Sequence, residues 1–457
     1  MFTANGCDMK LIHTSSWYFP DTSGGVEVYL EALVKQLQKA GITSLVAASR
    51  QGTQEDSYVE RGVEVYRYPL FPNPTKAETG QQKPPEGFEY FANWLRAHKA
   101  DVYHQHSWRF GCGAHHLALA RKLGMATAVT VHLPEGVCLR GTMMRNGQTP
   151  CDGWIDPARC GHCTGVPERV PSWAARALSG VPLGVAAAAE NRLLSSGNVR
   201  LRQLGRAVGI PSRVRGHRQR LVLACQLADR IVAVCQWLYD AFLANGVPEE
   251  KLVLCRQGVA AAGQKTVKPH RQPGAPLRVG FLGRWHPDKG AQVLAEAIQR
   301  LPADIPIELV IHGMVQGEAD RMNRDKVLAV AAKDSRIRIA EKLSREEVPF
   351  AAAGFDLLAV PSQGFETGPL VVLEAHAAGT PVLGSKLGGV AELVRHGTDG
   401  WLVPASDAGA WAQALADLAT QPDLLAKLRQ GIGPVRTMKD VAAEMAAIYE
   451  DIVKQRY

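Results

Sequence analysis

Glu366 and Glu374 share one stretch, Pro361–Gly379, which reads PSQGFETGPLVVLEAHAAG. Apolar runs flank it at Asp356–Val360 and Pro381–Leu383, and both read as buried parallel strands. Pro369 predicts the first helical position, where a missing N–H is harmless and φ is preset. Gly379 predicts the helix stop. The unit is then strand, loop, helix, strand, and in an open parallel sheet that loop lies at the carboxyl edge, where ligands bind. The N–H groups of Gly368, Leu370 and Val371 belong to the helix start and would form an anion site, helped by the helix dipole. With a carboxylate on either side, the segment suits a nucleotide diphosphate carrying a sugar. Phosphates would meet the N–H groups and hydroxyls the carboxylates. A solvated loop glutamate beside a capping glutamate is the plain alternative.

A second loop offers the opposite charge. Leu277–Gly283 reads as a strand, and Arg284 and Lys289 follow in GRWHPDKG before a helix over Ala291–Leu301. Two cations on a strand-to-helix loop point at the same carboxyl edge as the glutamates. There they can neutralise a leaving diphosphate, a term that is commonly the largest in catalysis. Surface cations are the alternative. Gly313 ends another strand, Ile307–Gly313, near the expected place of the base. In the N-terminal half, Gly24 and Gly25 lie between a strand, Met9–Ser15, and an amphipathic helix bearing Val26, Tyr29, Leu30, Leu33 and Leu37 on one face. His132 stands at the end of the strand Thr127–His132. His104 and His106 share a strand face, so a metal pair is conceivable, but they read with His115 and His116 as surface or cleft histidines.

These segments need positioning elements, and both halves supply runs of βα units. Strands are expected at Thr43–Ala48, VEVYRYPL, Asp101–His106, Asp229–Cys235, Lys251–Leu254 and Ile337–Ala340. Helices are expected at Phe88–His98, Ala114–Leu123, from Ser344, at Val390–His396, from Asp407 and at Val441–Val453. The domains read as 1–259 and 277–436, with a Pro-containing linker over 260–276. A last helix within 437–457 is expected to pack back on the first domain.

E-x7-E inside PSQGFETGPLVVLEAHAAGTPVLGS resembles the retaining glycosyltransferases of the GT-B fold, specifically the large family 4. GRWHPDKG is close to that family's phosphate clamp, and RQGV at Arg256–Val259 resembles its closing NGV segment. One departure is ETGPL, where the family more often has a Phe-Gly pair. The resemblance implies an α/β fold with two Rossmann-like parallel-sheet domains facing across a cleft. It implies donor binding mainly by the C-terminal domain, involving Gly24, Gly25, Gly283, Gly313, Gly368, Pro369, Leu370 and Val371. Glu374 would hold the ribose hydroxyls and Glu366 the donor sugar, with His132 beside that sugar. Arg284 and Lys289 would hold the diphosphate. A front-face transfer with retained anomeric configuration is what the family implies. No Asp-x-Asp pair is poised for a catalytic metal, so none is expected. Hexosyl transfer to a lipid-linked or cell-surface glycan precursor is the function expected. A GT-B phosphorylase, a sugar-nucleotide epimerase and a non-catalytic nucleotide-sugar binder stand as alternatives.

Residues 133–220 interrupt the α/β rhythm. Cys138, Cys151, Cys160 and Cys163 follow a C-x12-C-x8-C-x2-C spacing in a stretch with little apolar matter. A structural zinc held by the four sulfurs would supply order. Disulfides, an iron–sulfur cluster and four free thiols are the rivals. The insertion also resembles one carried by some bacterial members of family 4. Cys7, Cys112, Cys225, Cys235 and Cys255 read as small core residues. Residues 191–228 hold eight arginines and no acid, with leucines interspersed. This basic arm can meet an anionic membrane surface, or be a solvated face. Residues 1–255 hold 28 Lys and Arg against 21 Asp and Glu, and the rest hold 24 against 23, so +7 of the net +8 sits on the N-terminal half. Basic residues do not interleave with aromatics, which argues against a nucleic-acid partner. The N-terminus lacks the apolar core of a signal peptide. The longest apolar low-charge run, Ala177–Ala189, is too short to span a bilayer. A cytoplasmic protein is expected, able to lie on the inner face of the plasma membrane.

Overall fold

The structure is a computed structural model and describes residues 9–22, 24–260 and 274–456. Cys7 and most of the expected linker lie outside the described residues. Contacts divide the chain into two compact units. One is Met1–Arg256 together with Met438–Tyr457, and the other is Gln257–Thr437.

The first unit is built on β1 (Lys10–Ser15), β2 (Thr43–Gln51), β3 (Asp56–Glu60), β4 (Val63–Leu70), β5 (Val102–Gln105), β6 (Ala126–Val131), a small hairpin of β7 (Met144–Arg145) and β8 (Thr149–Pro150), β9 (Arg230–Ala233) and β10 (Leu252–Leu254). Its main sheet runs β10-β9-β6-β5-β1-β2-β4-β3. All pairs are parallel except β3 with β4. The second unit uses β11 (Leu277–Arg284), β12 (Ile307–Met314), β13 (Ile337–Ala340), β14 (Leu357–Val360), β15 (Val382–Ser385) and β16 (Gly400–Val403). Its order is β13-β12-β11-β14-β15-β16, parallel throughout. Strand order reverses beside β1 in one unit and beside β11 in the other. Each unit is therefore a doubly wound Rossmann-like sheet, whose crevice opens at the carboxyl ends next to that reversal. The α/β class, with two Rossmann-like parallel-sheet units, is the one observed.

Buried strands explain the apolar runs. Leu277, Val279, Leu309, Ile311 and Leu357 have at most 2% exposure and pack with Ala291, Leu294 and Ile298 of the helix Ala291–Arg300. In the first unit, the helix Met438–Lys454 lays Val441, Met445, Tyr449 and Ile452 against Leu33, Leu37, Val102 and Ala128. Its 3.6-residue apolar stripe is what makes that possible.

Three expectations are corrected, and the insertion, for which no elements were expected, acquires them. Pro369 is not the first helical residue. It is extended (φ −64°, ψ 112°) and caps a helix that starts at Leu370. The helix expected over Val390–His396 spans Gly388–Leu393 and ends where the backbone turns toward β16. The insertion is largely helical, with helices Pro157–Thr164, Ser172–Leu178, Leu183–Leu194 and Val199–Leu227. The last holds 29 residues despite Pro211 inside it. Glycine is the physical reason it can pack: a Cβ on Gly205 would meet Leu193 Cβ at 2.9 Å, and Gly209 lies against the Glu190 side chain. Glu190 is itself buried and ion-paired with Arg213. Finally, Cys225 is only half-buried on that helix, whereas Cys112, Cys235 and Cys255 are core residues.

Candidate functional site

In the second unit, three loops lock together at the carboxyl ends of β11, β14 and β15. Gly290 ends the loop after β11 with φ +79°, and a Cβ there would lie 1.8 Å from the Pro361 carbonyl oxygen. Gln363 N–H donates to Asp288 O at 2.7 Å, tying the same two loops. Gly389 N–H donates to Glu366 O at 2.7 Å, and a Cβ on Gly389 would strike Glu366 O and Gly368 N. Only glycine admits approaches this close.

The charged residues sit on these loops. Lys289 Nζ donates to Glu366 Oε1 at 2.5 Å, and Ser362 Oγ donates to the same oxygen at 2.9 Å. Burial pushes the Glu366 carboxyl up, but the Lys289 ammonium and the Ser362 hydroxyl outweigh it and hold it below the usual range. Arg284 ends β11, and its Nε and Nη2 grip the fully buried Asp320 at 3.1–3.3 Å. Asp320 also accepts the Gln316 N–H at 2.8 Å. Arg284 is thus oriented by a carboxylate, with Nη1 left over from the fork. The spacing of Arg284 and Lys289 gave no sign of Asp320, which lies in a helix, Glu318–Ala331, left unassigned from the sequence. Ser362 was likewise missed, although it lies two residues after the β14 run.

Glu374 lies in the helix Leu370–Ala377, half-buried, with no side-chain hydrogen bond or ion pair among the described residues. Burial raises its carboxyl above the ordinary value, and Arg345 opposes the shift. Gly368 has φ +130°, and a Cβ there would lie 3.4 Å from the Gln257 side chain. Val372 N–H returns to Pro369 O, so the N–H groups of Leu370 and Val371 are the terminal ones of the helix. Gly283 lies in β11, where a Cβ would make only ordinary contacts with Phe281. Gly313 has a packing role: a Cβ there would sit 2.0 Å from the buried Trp285 indole.

In the first unit, Gly24 precedes the helix Gly25–Lys39, and its N–H donates to Glu27 Oε2 at 3.0 Å. Gly25 faces open space. At the strand reversal, Ser16 Oγ and Ser107 Oγ lie 2.5 Å apart, a pair that no sequence signal marked. His132 follows β6 and is 5% exposed, stacked edge-on to Tyr29 at 4.7 Å. Burial lowers its imidazole to about 3, so it is neutral at neutral pH. The surface alternative fails for His104, His106 and His116, which are buried, and His115 is half-buried. A neutral imidazole tolerates burial where its nitrogens find partners, and His104 bonds Tyr449 Oη and Thr130 Oγ1 at 2.7 Å each.

Two side-chain sets have metal-ligand chemistry. The four insertion cysteines are free and half-buried. Asn146 N–H donates to Cys163 Sγ at 3.2 Å, and the Arg159 guanidinium lies 3.6 Å from Cys151 Sγ. Burial pushes the Cys160 thiol up to about 11. An Asp156 backbone hydrogen bond opposes this, and Cys151, Cys138 and Cys163 each raise it further. Thiols that oppose one another's ionisation in this way fit a shared cation. Among the described residues, however, the one group whose ligand atoms all lie within 4.8 Å of one another is His13, His104 and His106. The four sulfurs do not form such a group among the described residues.

Two family models match the chain. The one described as Glycosyl transferases group 1 covers residues 276–421, and the Glycosyl transferase 4-like domain covers 24–160. The chain is 32% identical over 198 residues to a D-inositol 3-phosphate glycosyltransferase of Corynebacterium efficiens, across 41% of this chain and 46% of that protein. The chain spans about half the length of the curated relatives it matches. Sucrose-phosphate synthase from Thermosynechococcus elongatus is similar in fold, with a TM-score of 0.65 at 17% identity, covering 98% of this chain and 100% of that one. Anabaena HepE, solved in complex with UDP and glucose, superposes with a TM-score of 0.61 at 15% identity, over 97% and 100% of the two chains. With one family model on each doubly wound sheet, the chain belongs to the GT-B glycosyltransferases, with the group 1 and 4-like domains.

Proposed function

We propose that the protein moves a hexosyl group from a nucleotide-diphosphate sugar to an acceptor with retention of configuration and without a catalytic metal. The observation that carries this reading is the Lys289–Glu366 pair beside Arg284 at the edge of β11 and β14. Arg284, Lys289 and the N–H groups of Gly368, Leu370 and Val371 would hold the diphosphate. Negative charge grows on that group as the sugar–oxygen bond breaks. The cations therefore stabilise the transition state more than the ground state. Glu374 would take the ribose and Glu366 the sugar, and His132 would contact the sugar from the first unit, as the resemblance implies. The leaving phosphate oxygen would accept the acceptor proton. Solved neighbours bound to UDP and glucose, or to UDP-glucose, favour a nucleotide-sugar donor.

Two acceptors compete. The relatives named for D-inositol 3-phosphate favour a small phosphorylated polyol. A lipid-linked or cell-surface glycan precursor is favoured by the hairpin between helices Leu183–Leu194 and Val199–Leu227. Its tip exposes Leu194, Val199, Leu201 and Leu204 among Arg192, Arg200 and Arg206, which suits an anionic membrane surface. No described helix is long and apolar enough to cross a membrane. The experiment is nucleotide release from UDP-, GDP- and ADP-sugars, with inositol 3-phosphate, with a lipid pyrophosphate and with neither. Acceptor-dependent release with retained anomeric configuration supports transfer. Consumption of inorganic phosphate, or product formed with no acceptor, would replace it with a phosphorylase or an epimerase.

For the insertion, Cys138, Cys151, Cys160 and Cys163 would hold a structural zinc, which supplies cross-linking and no chemistry. Elemental analysis of the purified chain decides it, and a metal-free, fully folded protein would end the assignment.

A further inference from the structure

Trp17 is an exposed indole on a pinned backbone. It lies two residues after β1, beside the strand reversal, and is 43% exposed, whereas Tyr18 and Phe19 after it are buried. The carbonyls of both its neighbours are fixed. Ser49 Oγ donates to Ser16 O at 2.7 Å, and Nη1 of the buried Arg67 donates to Tyr18 O at 3.1 Å. Single exposed apolar side chains are ordinary on a surface. This one is held at both flanks, in the crevice where a doubly wound sheet binds ligands.

Three loops converge there. Ser16 Oγ, after β1, meets Ser107 Oγ, after β5, at 2.5 Å. Further along the second loop, the Arg109 guanidinium lies over the Trp17 ring, 4.5 Å from its centroid. Arg109 Nη2 donates to both carboxylate oxygens of Glu135 at 2.8 and 2.6 Å, and Glu135 sits in the short turn Pro134–Gly136 after β6. The Arg109 loop is pinned in its turn. Arg109 and Cys112 exchange backbone hydrogen bonds at 3.1 and 2.9 Å, and the buried Tyr68 Oη donates to Gly111 O at 2.7 Å. The Arg109 and Glu135 side chains nevertheless reach solvent.

We infer that Trp17, Arg109 and Glu135 form a subsite for an uncharged ring of the acceptor, a sugar or a cyclic polyol; its role as an acceptor subsite rests on the glycosyl-transfer reading above. An indole offers a flat apolar surface to the C–H face of such a ring, and a pinned one loses little freedom on binding. Glu135 can accept from ring hydroxyls, and the guanidinium N–H groups left over from the ion pair can donate to them. A few convergent polar groups beside an apolar surface are what orient a small ligand. Charge decides against a phosphate in the same place. The positive charge of Arg109 is already matched by Glu135 at hydrogen-bond distance, so an anion would meet the carboxylate or have to break the pair. A phosphate carried by the acceptor would lie outside this subsite.

The test is the ¹⁵N–¹H indole spectrum of the full chain, with Trp17 assigned by the signal lost in Trp17→Phe. The chain is titrated with myo-inositol, with methyl α-D-glucopyranoside and with inorganic phosphate at matched ionic strength. The Trp17 signal should shift saturably with at least one of the two rings and stay in place with phosphate. Glu135→Gln, which keeps the shape and removes the charge, should weaken that shift several-fold. Where the nucleotide-release panel finds an acceptor, Trp17→Ala should raise its KM by about tenfold and leave the donor KM within about twofold, and Trp17→Phe should recover most of the loss. No saturable shift with either ring, a shift with phosphate alone, or an unmoved acceptor KM in Trp17→Ala overturns the proposal. Absence of transfer to every acceptor in wild type would remove only the glycosyl-transfer reading, and the spectra would still decide whether the subsite binds a ring.

Discussion

Beneath the loops at the carboxyl edge of β1, β5 and β6 the titratable groups are imidazoles, desolvated and neutral. At the edge of β11 and β14 they are ions: Lys289 on Glu366 and Arg284 on Asp320. Both sheets are doubly wound with the reversal at the same relative place, so topology does not set the difference. Burial and pairing do. A histidine can leave water by giving up its charge, whereas a lysine or arginine must take a carboxylate with it. One edge is built to orient neutral donors and acceptors, and the other to receive negative charge.

The largest expected effect sharpens this contrast through pH. His13, His116 and His132 are each lowered by burial to about 3, whereas an unfolded histidine titrates near 6.5. Between those values the unfolded chain binds protons that the folded chain does not. Stability is therefore lost as pH falls from about 6.5 toward 3, by about 1.4 kcal/mol per pH unit for each group. Together they contribute on the order of 4 kcal/mol per pH unit, with His104 and His106 acting in the same direction. A domain typically has about 5–15 kcal/mol to lose. Hydrogen exchange in urea, corrected for intrinsic rates, should show β1, β5 and β6 opening between about pH 6 and 4. In the second unit, Glu366 and Asp334 are held below the usual range, so their contribution persists to lower pH. Simultaneous opening of both sheets at pH 6 would erase the distinction.

The ionic edge is broken most directly at Lys289. Lys289→Ala should lower turnover on the order of 100-fold, because the charge it meets grows during bond breaking. It also strips Glu366 of the cation that keeps its carboxyl low, so the same variant should move the Glu366 titration upward. Wild-type turnover in both Lys289→Ala and Arg284→Ala would leave the clamp without function.

What the sequence disclosed follows the same division. Buried parallel strands announce themselves as short apolar runs, and Leu277–Arg284, Ile307–Met314 and Leu357–Val360 were legible for that reason. The Arg284, Lys289 and Glu366 group was legible because its members sit on loops directly after such runs. Asp320 was not, since nothing in a helix sequence says which carboxylate turns inward to meet an arginine. The burial of the imidazoles was missed for a related cause: a histidine's side of the sheet can be counted, but not the partners that permit its burial, such as Tyr449, more than three hundred residues away from His104. The long helix Val199–Leu227 was hidden by Pro211 and by glycines that pack against Leu193 and Glu190.

Glu374 lies between the two extremes, an ionisable group in the ionic unit that is half-buried without a hydrogen-bonded partner among the described residues. Burial raises its carboxyl above the ordinary value, so ionising it works against the fold. Glu374→Gln should therefore raise the melting temperature at pH 7 while raising the donor KM by about tenfold through a lost charged hydrogen bond. In wild type, donor affinity should fall with decreasing pH at a point above the ordinary glutamate range, and the variant should lack that limb. An unchanged KM in Glu374→Gln would take the ribose away from this residue.

The smallest effect separates packing from hydrogen bonding at the neutral edge. Tyr449 Oη lies 2.7 Å from His104 Nδ1 in a fully buried contact. Tyr449→Phe keeps the ring that packs against Leu33 and Met445 and removes one hydrogen bond. It should cost about 1 kcal/mol of the first unit's stability, read from the urea midpoint. It should leave turnover unchanged, because His104 bonds neither His13 nor His106. A tenfold loss of turnover in Tyr449→Phe would show that this buried hydrogen bond serves turnover as well as stability, and that neutrality at this edge is a property of the whole cluster.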